Sequence, residues 1–284
     1  MIEFITLTNG VKMPMEGFGV FQVPEADVCE QAVSDAIAAG YRLLDTAAAY
    51  FNEEAVGAAI RKSGVPREEL FITTKLWIQD AGYENAKKAF QTSLDKLDLD
   101  YLDLYLIHQP MNDYYGSWRA MEELYEEGKI RAIGVCNFYP ERLADLCVNA
   151  RIKPMVNQVE LHPFFQQADA LENMKEFGVV PEAWGPLAEG KHGIFTNEVL
   201  SRIAAKYGKT VAQVVLRWNT QRGVVIIPKS VHKERIEENL NIWDFTLSDE
   251  DMAAVGALDL GHSEIIDHSA AETTKWLNSW KIHD

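Results

Sequence analysis

The chain has 284 residues, 47% hydrophobic and 25% charged. That is the balance of an ordinary globular protein and excludes a disordered, collagenous or disulfide-built one. Its 27 Lys and Arg against 43 Asp and Glu leave a formal charge of −16, which opposes binding to nucleic acid or to an anionic membrane surface.

The N-terminus lacks the basic region and apolar stretch of a secretory signal. Residues 4–7 and 11–15 flank Thr8-Asn9-Gly10, an Asn-Gly hairpin signal placed to plug the bottom of a barrel. An early strand is expected at 17–20, then a helix over 26–39 that Gly40 stops. Strands follow at 41–44, 70–73, 101–107, 130–136, 154–159, 179–183 and 223–227. Between them the 3.6-residue pattern predicts helices over 52–62, 84–97, 118–127, 140–149, 167–177, 198–207 and 211–222. Another is expected over 233–240, and Ser248-x-x-Asp251 reads as a capping box opening one more. The tail carries Trp276 and Trp280, placed either to reach a substrate or to dock the tail.

The strands are rich in Val, Ile and Leu without clean alternation, as in parallel sheets covered on both faces. Leu43 to Ile72, Ile72 to Leu104 and Leu104 to Ile133 are steps of 29, 32 and 29 residues, one βα unit each. Eight such units in ~250 residues match a (β/α)8 TIM barrel, an α/β fold; the open doubly wound sheet is the competitor. We expect one barrel domain over 1–284, with a hairpin at 1–16 and an extra helix and tail at 243–284. Three cysteines, Cys29, Cys136 and Cys147, form no disulfide framework and fit a reducing cytoplasm. Neither Cys-x-x-Cys nor His-Glu-x-x-His occurs, so no metal is expected.

Chemistry on such a barrel sits at the C-terminal strand ends. Asp45, Lys75, His108, Asn137, Gln158, Trp184, Lys229 and Ser230 fall there, and Tyr50 follows Asp45 by five residues. A lysine beside a tyrosine lowers the phenol's pKa, an aspartate keeps that lysine charged, and a histidine can polarise a carbonyl. Such a set suits proton delivery to an oxygen that gains charge as hydride reaches its carbon. Each residue alone has a plainer role, as a cap, a solvated charge or packing; together they point to catalysis. Lys229 and Ser230 directly precede the 233–240 helix that carries Arg235, a natural phosphate site.

Gly40-Tyr41-Arg42-Leu43-Leu44-Asp45-Thr46-Ala47 with Tyr50, Leu102-Asp103-Leu104-Tyr105-Leu106-Ile107-His108, and Ile227-Pro228-Lys229-Ser230-Val231 with Arg235 and Glu238-Asn239 resemble three motifs of the aldo-keto reductases. The match runs from about Gly17 to Ile242 and looks closest to the bacterial 2,5-diketo-gluconate reductase type. The resemblance implies a cytoplasmic, NADPH-dependent reductase of small aldehydes, ketones or dicarbonyls, and a monomer. It implies a tetrad of Asp45, Tyr50 as general acid, Lys75, and His108 as carbonyl donor. It places Asn137 and Gln158 on the nicotinamide carboxamide, Trp184 on its ring, Lys229, Ser230 and Arg235 on the 2′-phosphate, and Glu238 and Asn239 at the adenine. Gly19, Val20, Gly185, Leu187 and Val231 are further expected cofactor contacts. Phe21, Trp77, Gln109 and Met111 join Tyr50 and His108 as pocket walls. Two residues depart from the family pattern: Cys136 replaces a common Ser before Asn137, a weaker donor, and Gln109 replaces a common Trp, which makes the pocket more polar.

Three other readings are weaker. Gly17-Phe18-Gly19-Val20-Phe21-Gln22 nearly spells a Rossmann fingerprint but lacks its third glycine. Glu160 and Glu182 are a candidate glycosidase pair, or else carboxylates each paired with a cation. An aldo-keto reductase-like sensor or channel accessory subunit would bind NADPH with little turnover.

Overall fold

The computed structural model describes residues 3–284; Met1 and Ile2 of the expected hairpin segment lie outside the described residues. Strands β1 (Phe4–Thr6) and β2 (Lys12–Pro14) pair antiparallel, with Ile5 opposite Met13. The turn carries Asn9, whose amide donates to the Arg131 carbonyl at 2.9 Å. Arg131 lies at the N-terminal end of a barrel strand, so the hairpin closes the end opposite the chemistry.

Eight parallel strands follow, each hydrogen-bonded to the next. They are β3 (Gly17–Gly19), β4 (Leu43–Asp45), β5 (Phe71–Leu76), β6 (Leu102–Ile107), β7 (Ile130–Cys136), β8 (Val156–Glu160), β9 (Val180–Trp184) and β10 (Val225–Ile226). The first and last meet through Gly19 N–H to Pro228 O and Ile226 N–H to Met15 O, both 3.1 Å, which closes the barrel. Gly17 is required by this packing: a Cβ there would stand 2.1 Å from Leu43 Cδ2. The glycines of the near-fingerprint therefore serve strand packing, and the Rossmann reading falls.

Helices α1 (Ala26–Ala39), α2 (Glu53–Ser63), α3 (Tyr83–Leu97), α4 (Tyr114–Glu126), α5 (Pro140–Asn149) and α6 (Ala168–Phe177) alternate with the strands. Two helices, α7 (Glu198–Tyr207) and α8 (Val211–Gln221), separate β9 from β10, and α9 (Lys233–Leu240), α10 (Asp249–Gly256) and α11 (Ala271–Ser279) follow. Most boundaries fall within a residue or two of expectation. The exceptions have local causes. Gly40 adopts φ 118° and Tyr41 N–H still bonds back to Ala36, so the strand expected from 41 begins at Leu43. Asp113 caps α4 by accepting from Gly116 N–H at 2.8 Å, which starts that helix four residues early. Ser248 caps α10, but its own N–H goes to the Tyr207 hydroxyl, so only half of the capping box forms. Helix α11 carries Trp276 and was not expected as a helix. Among the described residues no helix is long and apolar enough to cross a membrane.

Candidate active site

A cleft of about 1120 Å³ opens at the C-terminal ends of the strands. Asp45 ends β4, Lys75 lies near the end of β5, His108 directly follows β6, and Tyr50 closes a single helical turn after β4. Lys75 is fully buried beneath the cleft floor. Its ammonium donates to Asp45 Oδ1 at 2.5 Å, to the Thr46 carbonyl at 2.9 Å and to the Tyr50 hydroxyl at 3.3 Å. All three donors are thus spent, and the head group has one orientation. Thr46 is in turn fixed by Asn52, whose amide also holds the Val20 and Val23 carbonyls.

Burial pulls the Lys75 ammonium down, yet the charges of Asp45 and Tyr50 outweigh it and the net shift is upward. Burial pushes the Asp45 carboxyl up, while Lys75 and Gln158 oppose it. We assign the proton to Lys75 and the negative charge to Asp45. Burial likewise pushes the Tyr50 phenol up to about 12, against the pull of Lys75. This corrects the expected net lowering: desolvation outweighs the nearby ammonium. The phenol therefore keeps its proton at neutral pH. Burial and then Lys75 hold His108 well below its ordinary value, so it is a neutral imidazole with one N–H to give. Its ring packs edge-on to Tyr50 and Trp77, at 5.5 and 5.2 Å between centroids.

Asn137 is held in left-handed backbone (φ 61°). Its N–H donates to the Gln158 carbonyl at 2.9 Å, its side-chain oxygen accepts from Trp184 Nε1 at 2.8 Å, and its amide donates to His108 O at 3.2 Å. That clasp does not use Cys136. Gln109 is buried, with its side-chain oxygen 3.4 Å from the Asn137 amide, rather than standing open at the mouth. At the far end Lys229 and Ser230 precede α9, whose first turn has no side-chain cap. Among the described residues Lys229 and Arg235 form no ion pair, and Glu238 accepts from the Thr210 hydroxyl at 2.9 Å.

All but two of the other residues expected around cofactor and substrate line this one cleft. Val20 does not: it is buried, its N–H and carbonyl spent on Asp45 O and Asn52. Met111 packs with Trp77, Ile78 and Leu277 instead of facing the cleft. The expectation of cations beside Glu160 and Glu182 also fails. Glu160 binds His162 at 3.0 Å and Ser263 at 2.6 Å, and Glu182 binds Gln158. Sequence reasoning missed the wall formed by Phe195, Ile265, Ile266 and His268. Burial lowers His268 to about 4, so it too is neutral. Trp276 and Trp280 do reach the cleft, where Trp77 Nε1 donates to the Trp280 carbonyl at 2.9 Å. The arrangement is a proton donor backed by a buried cation, beside a neutral imidazole, at one end of a groove with a phosphate-type site at the other.

The family model for the Aldo/keto reductase family matches residues 17–260. A glyoxal reductase of Bacillus subtilis (strain 168) is 54% identical over 257 residues, covering 90% of this chain and 92% of that protein. A 9,11-endoperoxide prostaglandin H2 reductase of Trypanosoma cruzi is 50% identical over 256 residues, 89% of this chain and 90% of that protein. Among solved structures, a Bombyx mori aldo-keto reductase in complex with NADP superposes with a TM-score of 0.89 at 36% identity, covering 94% of this chain and 95% of that one. The chain belongs to the aldo-keto reductase family.

Proposed function

We propose that this aldo-keto reductase works on small aldehydes and dicarbonyls of the glyoxal kind, with Tyr50, Lys75, Asp45 and His108 as its catalytic set. The protein is an NADPH-dependent oxidoreductase that reduces carbonyl groups. The observation that carries the site assignment is the unbroken chain of hydrogen bonds from Tyr50 through Lys75 to Asp45, with His108 beside it.

The groove fits the cofactor on its own chemistry. Its volume suits a dinucleotide, the Trp184 ring stands at one end, and two free cations at the head of α9 stand at the other. Bound NADPH supplies a hydride, two electrons with one proton, to the carbonyl carbon. His108 donates its N–H to the carbonyl oxygen and aligns it. Tyr50 transfers its phenolic proton to that oxygen as the C–O double bond becomes single, leaving an alcohol. Lys75 stabilises the resulting phenolate at 3.3 Å, and Asp45 keeps Lys75 charged. Lys229 and Arg235 favour the 2′-phosphate, because without it both remain unpaired.

The preference for small polar substrates is supported by Gln109, a polar side chain on the cleft wall beside Asn137, with Phe21, Trp77 and Trp280 as aromatic lining around it. Among the described residues, five of the ten exposed large apolar side chains (Phe21, Phe195, Val231, Trp276 and Trp280) line this cleft, and the others, Phe4, Val28, Phe51, Val148 and Leu260, lie on separate segments of the chain, which supports a monomer. Three free, buried cysteines support a reducing cytoplasm. The test is cofactor oxidation with glyoxal, methylglyoxal, a diketo sugar acid and nitrobenzaldehyde, each with NADPH and NADH. Turnover with NADPH, ranked towards the small dicarbonyls, is expected. Tight NADPH binding with no turnover of any carbonyl would overturn the reading in favour of a sensor.

A further inference from the structure

Beneath the cleft lies a carboxyl group that the chemistry above does not use. Glu182 projects from β9 and is fully buried, in register with Gln158 of β8. Gln158 Nε2 lies 2.9 Å from Glu182 Oε2 and 2.9 Å from Asp45 Oδ2. A side-chain amide nitrogen carries two protons, and both are spent on these carboxyl oxygens. The amide oxygen cannot take that place, since it would face the Asp45 carboxylate, which can only accept. It is therefore turned away from both, and Gln158 lines the cleft.

We propose that Glu182 is a positioning residue for carbonyl reduction: with Asp45 it captures both amide protons of Gln158, presenting the amide oxygen to the nicotinamide carboxamide and holding Asp45 in place for Lys75. This rests on the reading above, in which Gln158 meets the nicotinamide. Asp45 takes one amide proton and the Glu182 carbonyl oxygen takes the other, so the amide nitrogen has an acceptor on each side; without Glu182 the second proton is left unpaired.

The charge state fits that role. Asp45 of β4, Lys75 of β5 and Cys136 of β7 are the ionisable groups facing Glu182, while β10 offers Val225 opposite it. Burial and then the Asp45 charge push the Glu182 carboxyl up to about 8, with Gln158 and Lys75 pulling the other way. At neutral pH Glu182 is thus an uncharged acid, Cys136 is an uncharged thiol raised by burial, and Lys75 and Asp45 balance one another. Once Glu182 ionises, a second negative charge faces Asp45 across Gln158. That charge disfavours the phenolate that Tyr50 must become, so reduction slows.

Two variants separate the parts of this role. Glu182→Leu removes the acceptor, whereas Glu182→Gln keeps an acceptor oxygen but cannot ionise. The readouts are kcat and KM for glyoxal from about pH 6 to about pH 10, the NADPH dissociation constant by fluorescence, and thermal stability. Glu182→Leu is expected to lose about tenfold in kcat, with NADPH affinity changed only a few-fold because the phosphate end still anchors it. Glu182→Gln is expected to recover most of that loss at neutral pH and to lack the alkaline fall in kcat/KM expected of the wild type above about pH 8. A folded Glu182→Leu with wild-type kcat would overturn the proposal, as would an unchanged alkaline fall in Glu182→Gln. If Glu182→Leu does not fold, the pH profile of Glu182→Gln decides alone. A wild type that oxidises NADPH with no carbonyl would instead sink the reading beneath, and this inference with it; normal wild-type activity with indifferent Glu182 variants sinks only the inference.

Discussion

Replacing Asp45 with Asn tests whether the tetrad is held together by charge. Lys75 and Asp45 are 0% and 2% exposed, so solvent screens neither. The new amide can still offer an oxygen to Lys75, but its nitrogen then meets Gln158 Nε2, donor against donor. The Thr46 carbonyl and the Tyr50 hydroxyl remain for the ammonium. Breaking one side of a buried ion pair costs about 3–5 kcal/mol; the two surviving acceptors put the expected loss near the lower end, about 3 kcal/mol at pH 7. The pH dependence follows from the sign of the shift. In the wild type the folded-state pKa of Lys75 lies above its unfolded value, so its contribution is complete below about pH 10 and fades only above it. Without Asp45, burial dominates and the folded-state pKa drops below the unfolded one. The unfolded chain then binds more protons, and stability rises with pH through that window. Urea unfolding of both proteins between about pH 6 and about pH 9 measures this. The gap between them should narrow as pH rises. A loss under about 1 kcal/mol, or one of constant size across the range, would refute the buried-pair account.

Tyr50→Phe should lower turnover by about 10²–10⁴-fold while NADPH binding stays within a few-fold, read by steady-state kinetics and fluorescence titration. Near-normal turnover would remove the phenol as proton donor. Arg235→Ala should weaken NADPH about tenfold and NADH far less; equal weakening would place the 2′-phosphate elsewhere. Gly57→Ala ought to gain about 1 kcal/mol from helix propensity alone. Its Cβ, however, would lie 2.3 Å from Leu97 O, 2.8 Å from Leu97 C and 3.0 Å from its Cα, all backbone. A net loss of about 1–3 kcal/mol in thermal or urea unfolding is expected, and a gain would show that α2 can move away from the end of α3.

The barrel and its polar strand ends were readable because each depends on local pattern. Strand length and βα spacing put Asp45, Lys75 and His108 at one mouth without any knowledge of contacts. What could not be read depends on side chains meeting across the barrel. Glu182 carries no local mark of its role; only closure brings it to Gln158 and Asp45. The Tyr50 pKa departs from the sequence expectation for the same reason, since the desolvation that dominates it comes from walls supplied by distant segments. Helix α11 is short, and its Trp276 and the Trp280 that follows it remain half-exposed, so the apolar pattern that reveals a core helix is missing. Ile265 and Ile266 reach the cleft in a loop fixed by Ser263, whose hydroxyl donates to Glu160 and accepts their N–H groups.

The closing seam between β3 and β10 is laced more thinly than the rest of the barrel. Strand β10 is two residues long, and the seam rests on the bonds of Gly19 to Pro228 and Ile226 to Met15. Such a stretch is where a cooperative fold opens first, well below the free energy of global unfolding. Residues on both sides of it line the groove, Gly19 and Phe21 on one side and Ile227 and Lys229 on the other. A dinucleotide that contacted both sides would put part of its binding energy into keeping the barrel shut. Amide exchange at Gly19 and Ile226 would then slow in proportion to cofactor occupancy, making the scaffold's own breathing a gauge of the bound state.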